Sequence, residues 1–293
     1  LDGGSFFYPN PLASNGKYSR KPWFGCACCP SNVSRFIPSL PGYVYAVKDN
    51  QVYVNLYLTN KAELIVNKKK VVLEQETGYP WNGDIRVKVA QGNQEFALKL
   101  RIPGWVRDEV LPSDLYSYAD NQKPTYRIIV NGQETANTLN NGYLSIERKW
   151  KKGDVVKIHF DMLPRIVKAN EKVVDDKGRV SVERGPIVYC AEWPDNKCNV
   201  HTVLLNQHPQ FKVVEKPELL YGISQLKTDA QALSYDKNGK LITKDTELTL
   251  IPYYAWAHRG EGDMEVWLPI DVSAASALPQ EVQKWEDNGF FKN

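Results

Sequence analysis

The apolar positions along the chain change period as it proceeds, and the changes mark out its parts. Residues 1–22 mix glycine, proline and aromatic residues without a repeat, which reads as loop. From Pro30 a helical stripe begins, with Val33, Phe36, Ile37 and Leu40 at i, i+3, i+4 and i+7. Pro30 suits the first turn of a helix, where its missing N–H costs nothing. Pro38 removes a later donor, so the helix is expected to be short or kinked, with Pro41-Gly42 stopping it.

From Gly42 the period falls to two. Gln51–Leu58 is rich in aromatic and β-branched residues and is bounded by Asp49-Asn50 and Thr59-Asn60. Ile85, Val87 and Val89 alternate with charged residues, as do Phe96, Leu98, Leu100 and Ile102 with Ala97, Lys99 and Arg101. Ile128 and Val130 run into Asn131-Gly132, a hairpin-turn pair. Leu144 with Ile146, then Val156, Ile158 and Phe160, extend the series, and this spacing of short strands predicts a β-sandwich over 42–162.

A second β-rich stretch, 163–293, contains Val180–Glu183, the turn Arg184-Gly185-Pro186, and Ile187–Tyr189. Further strands are predicted at 202–205, 211–214, 247–252 and 264–269. Residues 222–246 are polar and weakly periodic, which predicts a loop or irregular insert. The tail beyond Pro279 reads as a short helix around Val282 and Trp285.

Composition narrows the function classes. The chain has 293 residues, 42% hydrophobic and 24% charged, the proportions of a globular protein. Its 37 basic and 34 acidic residues give a net charge of +3, which offers no electrostatic case for nucleic acid. No apolar run approaches the roughly 20 residues that span a bilayer. No Rossmann or P-loop glycine pattern is present. The 8 Trp and 16 Tyr suit both sandwich cores and sugar-facing clefts. Leu1 and the loop-like start are expected to lie inside a longer protein.

Three of the 5 cysteines fall in the run Cys26-Ala27-Cys28-Cys29, a clustering unlike a secreted disulfide framework. Cys28 and Cys29 immediately precede Pro30, at the expected N-terminus of the helix, where backbone N–H groups favour a thiolate. Adjacent cysteines also reach one Zn²⁺, although this run alone does not complete a tetrahedral site. Burial as small hydrophobes, a vicinal disulfide, a nucleophile and a metal site all remain open. Cys190 and Cys198 fit either a bridge across a loop or two thiols. The 4 histidines, His159, His201, His208 and His258, are scattered, and none is singled out by spacing.

The stretch Trp23-Phe24-Gly25-Cys26-Ala27-Cys28-Cys29-Pro30-Ser31-Asn32 resembles the signature of glycoside hydrolase family 127 and the related family 146, bacterial β-L-arabinofuranosidases. Gly78-Tyr79-Pro80-Trp81-Asn82-Gly83, Leu100–Trp105, Val182–Pro186 and Ile251–Ala257 extend the resemblance along the chain. It implies an N-terminal (α/α)₆ catalytic barrel followed by two β-sandwiches. Residues 1–41 would then close the barrel, with the sandwiches at 42–162 and 163–293.

It also implies chemistry. Cys28 would be the nucleophile of a retaining double displacement and, with Cys29, a ligand of Zn²⁺; Cys26 acquires no role. The family's other zinc ligands, in a Glu-x-Cys arrangement, and its general-acid Glu lie upstream of the signature. Residues 1–27 contain no Glu, so this chain alone is expected to bind zinc weakly and not to hydrolyse glycosides. The implied partners are an arabinose-containing glycan and the barrel, and the implied setting is bacterial, with the compartment open between periplasmic or secreted, which is favoured, and cytoplasmic. A non-catalytic carbohydrate-binding or scaffolding module, with Trp81, Trp105 or Trp256 as a platform, is the competing reading, and a purely structural zinc site is a third.

Overall fold

In the computed structural model, residues 3–25, 28–135, 138–238 and 240–275 are described. The fold is mainly β, as expected, and the chain separates into two compact units. One unit draws its described residues from 1–25, 110–122 and 164–293, the other from 26–109 and 123–163.

The second of these holds the helix and the first run of strands. Helix α1 spans Cys28–Ser39, beginning two residues before Pro30 and continuing through Pro38. Pro41-Gly42 does not end helical structure, because a further turn, α2 (Pro41–Val44), opens with Pro41 at its first position, where a proline needs no N–H partner. Val33, Phe36 and Ile37 are each more than half exposed, so the apolar stripe of α1 does not enter the core of its unit.

Among the described residues this unit has a six-stranded and a five-stranded sheet. The six-stranded sheet runs Gln133–Glu134, Tyr126–Val130, Val155–Phe160, Asp84–Gln91, Lys69–Thr77, Asn60–Val66. The five-stranded one runs Leu139–Asn140, Tyr143–Lys151, Asn93–Arg101, Gln51–Val54, Tyr45–Lys48. Each buries one face: Val71, Leu73, Ile85, Val87, Ile128 and Ile158 from the first, Val52, Val54, Phe96, Leu98, Leu100 and Leu144 from the second. Asn131 and Gly132, at φ 51° and 86°, form the expected two-residue turn. Gln51 begins a strand that ends at Val54, short of the predicted Leu58.

In the other unit, strands pair in the order Val203–Leu205, Ile223–Tyr235, Leu241–Pro252, Ile187–Glu192, Arg179–Arg184, Pro164–Ala169, Tyr116–Tyr118. Successive side chains of a strand point to opposite faces, and here both faces are buried. Tyr189, Ala191 and Leu250 enter one core, while Cys190 and Ile251 enter the other. Gly185, at φ 60°, and Pro186 make the two-residue turn between Arg184 and Ile187.

The expected loop at 222–246 is instead a long hairpin, Ile223–Tyr235 paired with Leu241–Pro252. With both faces covered, Ser224, Gln225 and Thr228 are buried beside Leu226 and Ala230, and the alternation that would mark a half-exposed strand is lost. The loop-like N-terminal region contains a short strand, Ala13–Asn15, paired with Asp263–Glu265. The predicted helix around Val282 and Trp285 lies outside the described residues, as does Cys26.

Candidate functional site

Cys28 and Cys29 occupy the first turn of α1, and both are exposed. Their Sγ atoms are 3.8 Å apart, and no disulfide joins them. The two residues that follow Pro30 in the signature secure this turn. Ser31 Oγ and Asn32 Nδ2 both donate to the Cys28 carbonyl, at 2.9 and 3.0 Å, and Ser34 Oγ donates to the Pro30 carbonyl at 2.8 Å. Short polar side chains thus bind carbonyls within their own helix.

The sulfur spacing tests the pair as metal ligands. Zinc–thiolate bonds of about 2.3 Å in a tetrahedron put two sulfurs about 3.8 Å apart, so Cys28 and Cys29 fit two adjacent corners of one such site. Among the described residues no group of three or more His, Cys, Asp and Glu side chains gathers to hold a metal ion. Two corners are what this chain's described residues offer.

The remaining cysteines are of another kind. Cys190 is fully buried, and burial, with Glu192 and Asp195 nearby, pushes its thiol far above the ordinary range. Cys198 is half-buried, its thiol also pushed up by burial. They are thiols, not a bridge.

The other signature motifs turn out to be packing devices. Tyr57, Tyr79, Trp105 and Phe160 form an aromatic cluster with centroid separations from 5.8 to 6.4 Å, and Trp105 Nε1 donates to the Tyr79 hydroxyl at 3.3 Å. A Cβ on Gly83 would lie 1.9 Å from the Phe160 carbonyl oxygen. Trp256 is buried and stacks on Phe7 at 4.5 Å, while Tyr253 donates its hydroxyl to the Pro11 carbonyl at 2.8 Å. Of the three Trp named as a sugar platform, Trp105 and Trp256 are therefore core, and Trp81 is exposed.

Two charged networks escaped the sequence reading. Arg259 is bound by Glu192 and Asp195, and Glu192 also accepts from the Ala257 amide at 2.6 Å. His201, Glu265 and Arg179 are all buried and connected. The bonded pairs, Arg259 with Glu192 and Asp195, and Glu265 with His201 and Arg179, are 64 to 86 residues apart in sequence, so no local spacing reveals them.

Family comparison agrees with this division between an N-terminal cysteine motif and a β scaffold. Residues 1–42 match the model of the β-L-arabinofuranosidase GH127 catalytic domain, 51–162 that of the GH127 middle domain, and 164–269 that of the family 127 C-terminal domain. The chain belongs to glycoside hydrolase family 127 and represents its C-terminal portion. It is similar to a solved structure described as a GH127 β-arabinofuranosidase, at 82% identity and a TM-score of 0.91 over 93% of this chain and 43% of that one. A GH127 β-L-arabinofuranosidase from Geobacillus stearothermophilus T6 is 33% identical, with a TM-score of 0.80 over 92% of this chain and 43% of that one. Among curated proteins, a non-reducing end β-L-arabinofuranosidase from Bifidobacterium longum is 29% identical over 91% of this chain and 42% of its own. The chain thus spans less than half the length of each of these relatives.

Proposed function

We propose that this chain is the C-terminal part of a retaining β-L-arabinofuranosidase in which Cys28 is the nucleophile and Cys28 and Cys29 are two ligands of a zinc ion. The observation that carries the reading is the pair of exposed sulfurs, 3.8 Å apart, within the stretch similar to the family's catalytic domain.

In this reading the Cys28 thiolate attacks the anomeric carbon while the bond from that carbon to the aglycone oxygen breaks. The aglycone departs with a proton from an acid that this chain does not supply. Water then attacks the same carbon, giving its proton to the conjugate base of that acid, while the carbon–sulfur bond breaks and the thiolate is restored. Two inversions give net retention, with sulfur in the place of the usual carboxylate nucleophile. Bound zinc would supply the positive charge that keeps both sulfurs deprotonated. Ser31 and Asn32, through the Cys28 carbonyl, hold the turn from which both sulfurs project.

The substrate is an arabinose-containing glycan, in a bacterial setting. The general acid, the remaining zinc ligands and the (α/α)₆ barrel belong upstream of Leu1. The exposed stripe of Val33, Phe36 and Ile37 is the apolar surface that such a barrel would cover. On its own the chain is inactive. Assaying it with zinc on an aryl β-L-arabinofuranoside tests this: no turnover is expected, and robust turnover would overturn the assignment of the acid to residues outside the chain.

A further inference from the structure

His201 lies in the turn Val200–Thr202, where the Asn199 side chain accepts from its amide at 2.9 Å. Its side chain is 3% exposed, and both ring nitrogens meet acceptors. Nδ1 is 2.5 Å from Glu265 Oε2, and Nε2 is 2.8 Å from the Ser14 carbonyl oxygen. A carbonyl only accepts, so Nε2 carries a hydrogen. The other Glu265 oxygen accepts from Arg179 Nη1 at 3.2 Å, which favours the carboxylate, so Nδ1 carries one as well. An imidazole with hydrogens on both nitrogens is a cation.

The surroundings are consistent with a charged ring. Asp263 Oδ1 lies 4.0 Å from Nε2, Glu265 meets Nδ1, and Arg179 pairs with the far oxygen of that carboxylate. The other strands packed on this turn bring apolar Leu226, Ala230 and Leu268, and Lys227 on the first of them is engaged by Glu247.

We propose that His201 is a protonation-dependent clasp: its cationic form fastens Ala13–Asn15 to Asp263–Glu265, and loss of its proton releases that edge strand. Ser14 is fully buried, and its pairing with Met264 is flanked by the Val266 amide donating to the Leu12 carbonyl at 2.9 Å. When one proton leaves, the carboxylate, the stronger acceptor, keeps its hydrogen. The bare Nε2 lone pair then faces the Ser14 carbonyl.

Burial opposes the charge, but the Glu265 hydrogen bond and charge, Asp263 and the Ser14 carbonyl outweigh it and raise the His201 pKa above the ordinary histidine value. A raised value means the stabilisation is complete below about pH 6.5, the unperturbed value, and is lost as pH rises through the folded value. The opening constant of the strand should therefore grow with pH, tenfold for each unit by which the clasped value exceeds the released one.

Hydrogen–deuterium exchange of the peptide covering residues 11–17, corrected for intrinsic rate, tests this between pH 5.5 and 9. The expected result is protection that falls tenfold or more, while Leu248–Ile251 stays protected. In His201→Gln the same peptide should be weakly protected at every pH. Nitrogen-15 NMR of the unmodified protein should show both His201 ring nitrogens protonated at pH 6. Protection of residues 11–17 that is flat with pH, or a singly protonated ring at pH 6, would overturn the proposal without depending on whether the variant folds.

Discussion

The indole N–H of Trp105 donates to the Tyr79 hydroxyl at 3.3 Å, joining two signature motifs 26 residues apart in sequence. Both rings lean on Phe160, so these motifs meet in the core of their unit. What these two motifs do in this structure is pack. Trp105→Ala should cost about 3–5 kcal/mol, the usual range for deleting a buried aromatic. Trp105→Phe, which keeps the ring contact and loses the donor, should cost less than half as much. Denaturant melts of the chain measure both, and equal costs would point away from the cluster as the source of stability.

Gly83 and Phe160 run backbone against backbone, with the Phe160 amide donating to the Gly83 carbonyl at 3.0 Å. A methyl group at 83 would collide with the Phe160 carbonyl at 1.9 Å, and neither partner is a side chain able to move aside. Gly83→Ala should destabilise the unit by about 2 kcal/mol or more, read as a lower urea midpoint with an unchanged slope. A midpoint equal to that of the unmodified chain would contradict the close approach.

Arg179 and Glu265 form a buried ion pair at 3.2 Å, with the guanidinium also donating to the carbonyls of Trp267 at 2.9 Å and Ala274 at 2.8 Å. Removing Arg179 takes from Glu265 one of its two cationic partners, leaving His201, and takes this donor from both carbonyls, at a cost of about 1–3 kcal/mol for each group left unsatisfied. Arg179→Met should therefore be severely destabilised, and the double variant Arg179→Met with Glu265→Gln should cost less than the sum of the singles. Strict additivity in that cycle would mean the two charges are not coupled.

Much of the β architecture was legible in the sequence, and the misses have physical causes. Strands with one wet face, such as Asp84–Gln91 and Val155–Phe160, showed their alternation directly. The hairpin from Asn60–Val66 to Lys69–Thr77 did not stand out, because its two-residue turn is Asn67-Lys68 and lacks the glycine that normally signals positive φ. The long hairpin at 223–252 was hidden by burial on both faces. In α1 the i, i+3, i+4, i+7 stripe marks a helix, but the exposure of Val33, Phe36 and Ile37 is not written in that pattern. The His201 cluster joins strands distant in sequence, and only the fold brings them together.

The Cys28 and Cys29 sulfurs, 3.8 Å apart, have the spacing of two corners of a tetrahedral zinc–thiolate site. A complete structural zinc site contributes about 10 kcal/mol or more, and half a site should fall far below that. Calorimetric titration of the chain with zinc should show weak binding that is lost in the Cys28→Ser, Cys29→Ser double variant. Tight binding that survives the double variant would place the site elsewhere in the chain.

The central claim is that Cys28 carries the sugar. The direct measurement is peptide mapping by mass spectrometry of the full-length enzyme, trapped during turnover of an activated aryl β-L-arabinofuranoside. The account predicts a pentosyl group on Cys28 and none on Cys29, with turnover abolished and the fold kept in Cys28→Ser. A pentosyl group on a carboxylate, or a Cys28→Ser enzyme that still turns over, would contradict it.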